Sequence, residues 1–82
     1  LKPETKLIWI ETPTNPTLKM VDMNNSAIGQ KAQFDHVCDN TFASPYLQSP
    51  LLIGADISYN SCTKYLAGHS DLVMGAVALN NE

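Results

Sequence analysis

The chain has 82 residues, 44% of them hydrophobic, and a formal net charge of −3 at pH 7. Charges of both signs are scattered with no basic stripe, which argues against nucleic acid or an anionic membrane surface as partner. No apolar run approaches the ~20 residues of a membrane-spanning helix, so one small globular unit is expected, burying only about 60% of its unfolded surface.

No secretory leader is expected, and a cytoplasmic location is expected from two cysteines that read as reduced thiols. The abrupt start at Leu1, and an end at Glu82 just after an apolar run, are what a piece of a larger chain would show.

Lys6-Leu-Ile-Trp-Ile-Glu11 is rich in β-branched and aromatic residues and predicts a buried strand. It stops at Thr12-Pro-Thr-Asn-Pro16, where two prolines forbid a continued ladder. Asp22 to Gln33 carries Ala27, Ile28 and Ala32 at helical spacing, with Asp22, Asn24 and Asn25 available as caps. A short helix is expected there, weakened by Gly29. His36-Val-Cys-Asp39 predicts a second strand, closed by Asn40-Thr-Phe42. Residues 43–55, with Pro45, Pro50 and Gly54, predict an irregular connection. Asp56-Ile-Ser-Tyr59 is expected as a third strand and Val73-Met-Gly-Ala-Val-Ala-Leu79 as a fourth.

Cys38 and Cys62 form neither a Cys-x-x-Cys pair nor a disulfide framework, and predict two reduced core thiols. His36, Cys38 and Asp39 offer too few ligands for a structural zinc site, so no metal is expected. The sequon at Asn24 is read as accidental in a chain not expected to be secreted.

Strand, helix, strand with near-continuous apolar runs predicts an α/β fold with a mostly parallel sheet covered on both faces. Ligands of such sheets bind beyond the carboxyl ends of the strands. Asn15 lies past the end of the first strand, Asp39 ends the second, and Ser61, Thr63 and Lys64 follow the third. Turn chemistry alone could place an Asn or Asp at a strand end. A lone lysine between hydroxyl residues is ordinarily a solvated loop residue, but it could be a desolvated, nucleophilic amine. The set decides between these. An amine condenses with an aldehyde, a carboxylate keeps a pyridine nitrogen protonated, hydroxyls donate to a phosphate, and an amide bonds a ring oxygen. Those are the parts of a pyridoxal 5'-phosphate site. No Gly-x-Gly-x-x-Gly follows any strand, so a nucleotide-binding reading is weaker.

Three motifs carry a family resemblance: Glu11-Thr-Pro-Thr-Asn-Pro16, Asp39-Asn-Thr-Phe42, and Ser61-Cys-Thr-Lys-Tyr65 followed by Gly68-His-Ser-Asp71. In this order they resemble the Cys/Met-metabolism family of pyridoxal phosphate enzymes. The resemblance implies the central part of a fold type I large domain, made of residues 1–82. It implies a first strand lying between the second and third, with an antiparallel fourth beyond the third.

It further implies that Lys64 is the cofactor lysine and Asp39 the pyridinium partner. Ser61 and Thr63 would donate to the phosphate, Asn15 would lie near the ring hydroxyl, and Thr41 would pack under the ring. A stacking aromatic, a second phosphate loop and an arginine for the substrate carboxylate would come from outside these residues. The implied enzyme is a homotetramer that eliminates from a small sulfur amino acid. The stretch from Asn24 to His36 departs from the family pattern and is expected to be shortened. The alternative is a noncatalytic, truncated chain that docks onto an intact subunit.

Overall fold

The computed structural model describes residues 2–23 and 34–80. Four strands form one sheet: β1 (Leu7–Glu11), β2 (Asp35–Asp39), β3 (Ile57–Ser61) and β4 (Gly75–Leu79). The first three are parallel and β4 runs antiparallel against β3, giving the mixed, mostly parallel α/β sheet the apolar runs imply. The helix expected over 22–33 falls almost wholly outside the described residues.

The strand order corrects one expectation. It is β1-β2-β3-β4, so the second strand, not the first, lies between its neighbours. Leu7 to Glu11 pair in register with Asp35 to Asp39, and Val37 to Asp39 pair with Ile57 to Tyr59. The physical reason is burial. His36, Val37 and Cys38 are all buried, as a central strand requires, whereas Leu7 and Trp9 on β1 are exposed. Consecutive strands also pair as neighbours more often than not. The fourth strand lies beyond the third, as expected, but starts two residues later, at Gly75.

The connection over 43–55 is more ordered than expected. It holds a one-turn helix α1 (Ser44–Leu47) and a 3-10 turn (Pro50–Ile53) closed by Gly54 at φ 105°. Pro45 and Pro50 stand in the first turn of each, where a missing N–H costs nothing and a fixed φ starts the turn. These prolines begin structure instead of breaking it.

Alternation of side chains gives the sheet two unlike faces. On one, Cys38, Met23 and Ala55 are buried, with Ile10 and Ile53 packed against them. On the other, Trp9 and Tyr59 meet with ring centroids 5.8 Å apart, while Leu7, Trp9, Val77 and Leu79 stay 47–62% exposed. The entry of β2 is braced by Asp56, whose Oδ2 accepts the His36 N–H at 2.9 Å. Both cysteines are buried free thiols, as expected. Among the described residues no helix is long and apolar enough to cross a membrane, and no group of three or more His, Cys, Asp or Glu is placed to hold a metal ion.

Candidate active site

Three strand exits build one rim at the carboxyl edge of the parallel strands. After β1 the chain folds back on itself: the Leu18 N–H donates to the Thr14 carbonyl and the Thr14 N–H to the Lys19 carbonyl. The Thr14 hydroxyl meets that of Thr17 at 3.0 Å and accepts the Lys19 N–H. The two X-Pro bonds of this loop, Thr12–Pro13 and Asn15–Pro16, are cis. Asn15 sits at the tip.

At the exit of β2, Asp39 Oδ1 accepts two hydrogen bonds from Thr41, from its N–H at 3.0 Å and its hydroxyl at 2.6 Å. The same hydroxyl accepts the Ser61 N–H at 2.9 Å. One threonine oxygen therefore ties the end of β2 to the end of β3.

β3 leads directly into a wide turn, Cys62–Leu66, closed by the Ala67 N–H on the Cys62 carbonyl and the Gly68 N–H on the Lys64 carbonyl, both 2.8 Å. A five-residue closure of this kind is a π-turn, a form that recurs at functional sites. The helical backbone breaks at Lys64, with φ −89° and ψ −114°. Gly68 ends the turn at φ 72°, the left-handed region that suits glycine; space is not the reason, since an added Cβ would meet only the Tyr65 carbonyl at 3.8 Å. The turn is stitched to the start of β4. Cys62 N–H donates to the Met74 carbonyl at 2.8 Å, and Met74 N–H donates to the Thr63 hydroxyl at 3.1 Å.

Between these exits lies a cavity of about 330 Å³, within the usual range of small-molecule sites. Of the six expected residues, Asn15, Thr41, Thr63 and Lys64 line it. Asp39 and Ser61 do not; they stand behind Thr41, bonded to its hydroxyl. Lys64 is exposed, which corrects the expectation of a desolvated amine: its turn stands on an open rim of the sheet.

Sequence reasoning missed Glu11, Phe42, Tyr65, Gly68 and Ser70, which complete the wall. The signal for Glu11 is the strand register: it pairs with Asp39, so two carboxylates stand side by side on one face. An amine, an amide, hydroxyls and a carboxylate on one rim fit pyridoxal phosphate.

The sequence profile described as Cys/Met metabolism PLP-dependent enzyme matches residues 1–82. The chain belongs to this family. Pyridoxal phosphate is thus the cofactor of its family, as the residues on the rim suggested. Within the Cys/Met metabolism family, the chain is 56% identical over 84 residues to human cystathionine gamma-lyase, matching all of this chain and 21% of that protein. It is 52% identical to cystathionine gamma-synthase of Mycobacterium leprae over 79 residues, 95% of this chain and 20% of that one. The crystal structure of cystathionine gamma-lyase from Lactobacillus plantarum complexed with L-serine superposes with a TM-score of 0.92 at 43% identity, covering 99% of this chain and 22% of that one. The chain spans about a fifth of the length of these relatives.

Proposed function

We propose that these 82 residues form the central part of the cofactor-binding large domain of a carbon–sulfur lyase. The reaction proposed is gamma-elimination of cystathionine to cysteine, 2-oxobutanoate and ammonia. The observation that carries this reading is the gathering of Lys64, Asn15, Thr63 and Thr41 around one cavity, with Thr41 holding Asp39. The flanks Lys6-Leu-Ile-Trp-Ile10 and Asp71-Leu-Val-Met-Gly75 resemble those of gamma-lyases, and this resemblance, more than identities of 56% to a gamma-lyase and 52% to a gamma-synthase, leads the proposal to the lyase branch.

When bound, pyridoxal phosphate supplies an electron sink for carbanion charge. Lys64 would hold it through Nζ and, with its amine free, would take and return protons at the substrate. Asp39, with Oδ1 occupied by Thr41, keeps Oδ2 to hold a proton on the ring nitrogen. Thr63 donates only weakly to the Met74 carbonyl, at 3.5 Å, so its proton is available to a phosphate oxygen. Asn15 would bond the ring hydroxyl, and Ser61, set behind the cavity wall beside Thr41, would be a second phosphate donor. The substrate is a small sulfur amino acid, and the assembled enzyme is a cytoplasmic homotetramer.

The test is release of 2-oxobutanoate from cystathionine by the full-length protein, beside its Lys64→Ala variant. Turnover is expected from the first and none from the second. Equal turnover from both would overturn the assignment. The open face of Leu7, Trp9, Val77 and Leu79 also fits a second reading, docking onto an intact subunit without chemistry. Binding of the 82-residue chain to purified full-length enzyme, with no added turnover, would favour it.

A further inference from the structure

One side chain braces the exits of β1 and β2 from outside the cavity. Gln48, just past α1, donates from Nε2 to the Thr12 carbonyl at 3.1 Å and to Asn40 Oδ1 at 2.8 Å. Asn40 replies from Nδ2 to the Gln48 main-chain carbonyl at 2.9 Å. Main-chain carbonyls only accept, so the Thr12 and Gln48 carbonyls fix the orientation of both amides. The pairing of Gln48 Nε2 with Asn40 Oδ1 then follows without choice.

The braced residues are the least exposed polar groups described, Thr12 at 0% and Asn40 at 1%. A polar group so buried is costly to leave unpaired, so the bracket is held shut. It also extends to β3, because the Asn40 N–H donates to the Tyr59 carbonyl at 2.8 Å. α1 places this amide: the Ser44 N–H donates to the Asn40 carbonyl, and the Gln48 N–H to the Ser44 carbonyl, turning the chain back onto Asn40.

Asn40 is the neighbour of Asp39, and Thr12 the neighbour of Glu11. The direct main-chain bond between these exits, from the Thr12 N–H to the Asp39 carbonyl, is long at 3.4 Å. Thr41 secures Asp39 toward β3 only. The shorter tie toward β1 is the Gln48 carboxamide.

We infer that Gln48 is a positioning residue for the pyridoxal phosphate site: its carboxamide sets the spacing of Thr12 and Asn40, and through them the aim of the Asp39 carboxylate. The inference rests on the proposed cofactor roles of Asp39 and Lys64. Gln48 does not line the cavity and acts only through the strand exits. Catalytic groups must be held within fractions of an ångström, and their supporting residues decide whether they are.

The test uses the full-length protein loaded with pyridoxal phosphate and the variant Gln48→Met, which keeps side-chain length and loses both donors. A fall in kcat of about 10²-fold is expected, with KM for cystathionine little changed. The pH at which the bound cofactor's visible absorbance changes should shift, because a misaimed Asp39 holds the ring proton less well. A kcat and an absorbance titration like those of wild type would overturn the inference. So would a loss of activity that vanishes when expressed per folded, cofactor-loaded site. If Gln48→Met does not accumulate as folded protein, Gln48→Asn carries the same two measurements, since it keeps the amide but shortens its reach. Lys64→Ala separates the two ideas. Should it keep turnover and absorbance, the site reading fails; should it lose both while Gln48→Met behaves as wild type, only the role of Gln48 fails.

Discussion

Thr41 carries more than its size suggests. Its hydroxyl donates to Asp39 and accepts from the Ser61 N–H, so both capacities of one oxygen are used between two strands. Thr41→Val keeps the shape and removes both bonds, stranding a half-buried main-chain N–H. A loss of about 1–3 kcal/mol is expected in urea unfolding, with weaker pyridoxal phosphate binding, and Thr41→Ser should restore most of both. Cys38 gives a pH dependence. Burial, with the Asp39 charge beside it, pushes its thiol from 9.0 up to about 11. The unfolded chain therefore gives up this proton first as pH rises. Stability is unaffected below pH 9 and falls between pH 9 and about 11. Comparing unfolding midpoints at pH 8 and pH 10 should show a smaller drop for Cys38→Ala than for wild type. An equal drop would mean that the Cys38 proton plays no part. Buried and protonated, Cys38 should also resist alkylation at neutral pH.

At the scale of elements, all four strands were legible, because β-branched and apolar runs bounded by turn residues leave little else for such segments to be. The edge at which Asn15, Asp39, Thr63 and Lys64 gather was legible too, since it follows from parallel direction alone. Strand order was not. The run Leu7-Ile-Trp-Ile10 is more apolar than His36-Val-Cys38, yet β1 is the edge and β2 the centre. Small side chains with a braced entry suit the middle of this sheet, and that depends on tertiary partners such as Asp56, 20 residues from His36. The two short turns within 43–55 are hard to read because proline signals a break as readily as a first helical turn. The missed wall residue Glu11 needed the β1–β2 register, which depends on that order. The turn after Lys64 gives the prediction at this scale. Gly68→Ala forces a Cβ into the left-handed region and should destabilise by about 1–2 kcal/mol, with Gly68→Asn milder. Thermal unfolding of the two variants checks it, and equal melting would remove the conformational argument.

One face of the sheet packs around Cys38, and the other leaves its outer strands bare. Leu7, Trp9, Val77 and Leu79 form an apolar surface on the far side of the sheet, and β1 adds an edge without a strand partner among the described residues. Such surfaces drive association in water. The 82-residue chain alone is expected to self-associate in sedimentation and to release no measurable 2-oxobutanoate from cystathionine. Its rim carries no stacking aromatic among the six expected cofactor residues, and the family resemblance places that aromatic and a second phosphate loop outside these residues, so any bond to pyridoxal phosphate should be weak and unselective. Lysine-dependent keto-acid release above a Lys64→Ala control would show that these residues suffice.

The closure of the Lys64 turn over five residues makes its length as consequential as its composition. Each residue of a helical turn advances the side chain by about 100° around the axis. Removing Leu66 would shorten the closure by one residue, let the turn tighten to an ordinary α form and swing the Lys64 amine away from Asn15 and Thr41, with every cavity-lining residue still present. Substitutions in this stretch should be absorbed more readily than a single-codon deletion. A library combining both kinds of change, sorted by retained visible absorbance of pyridoxal phosphate, should be depleted of deletions there before it is depleted of replacements at Tyr65 or Leu66.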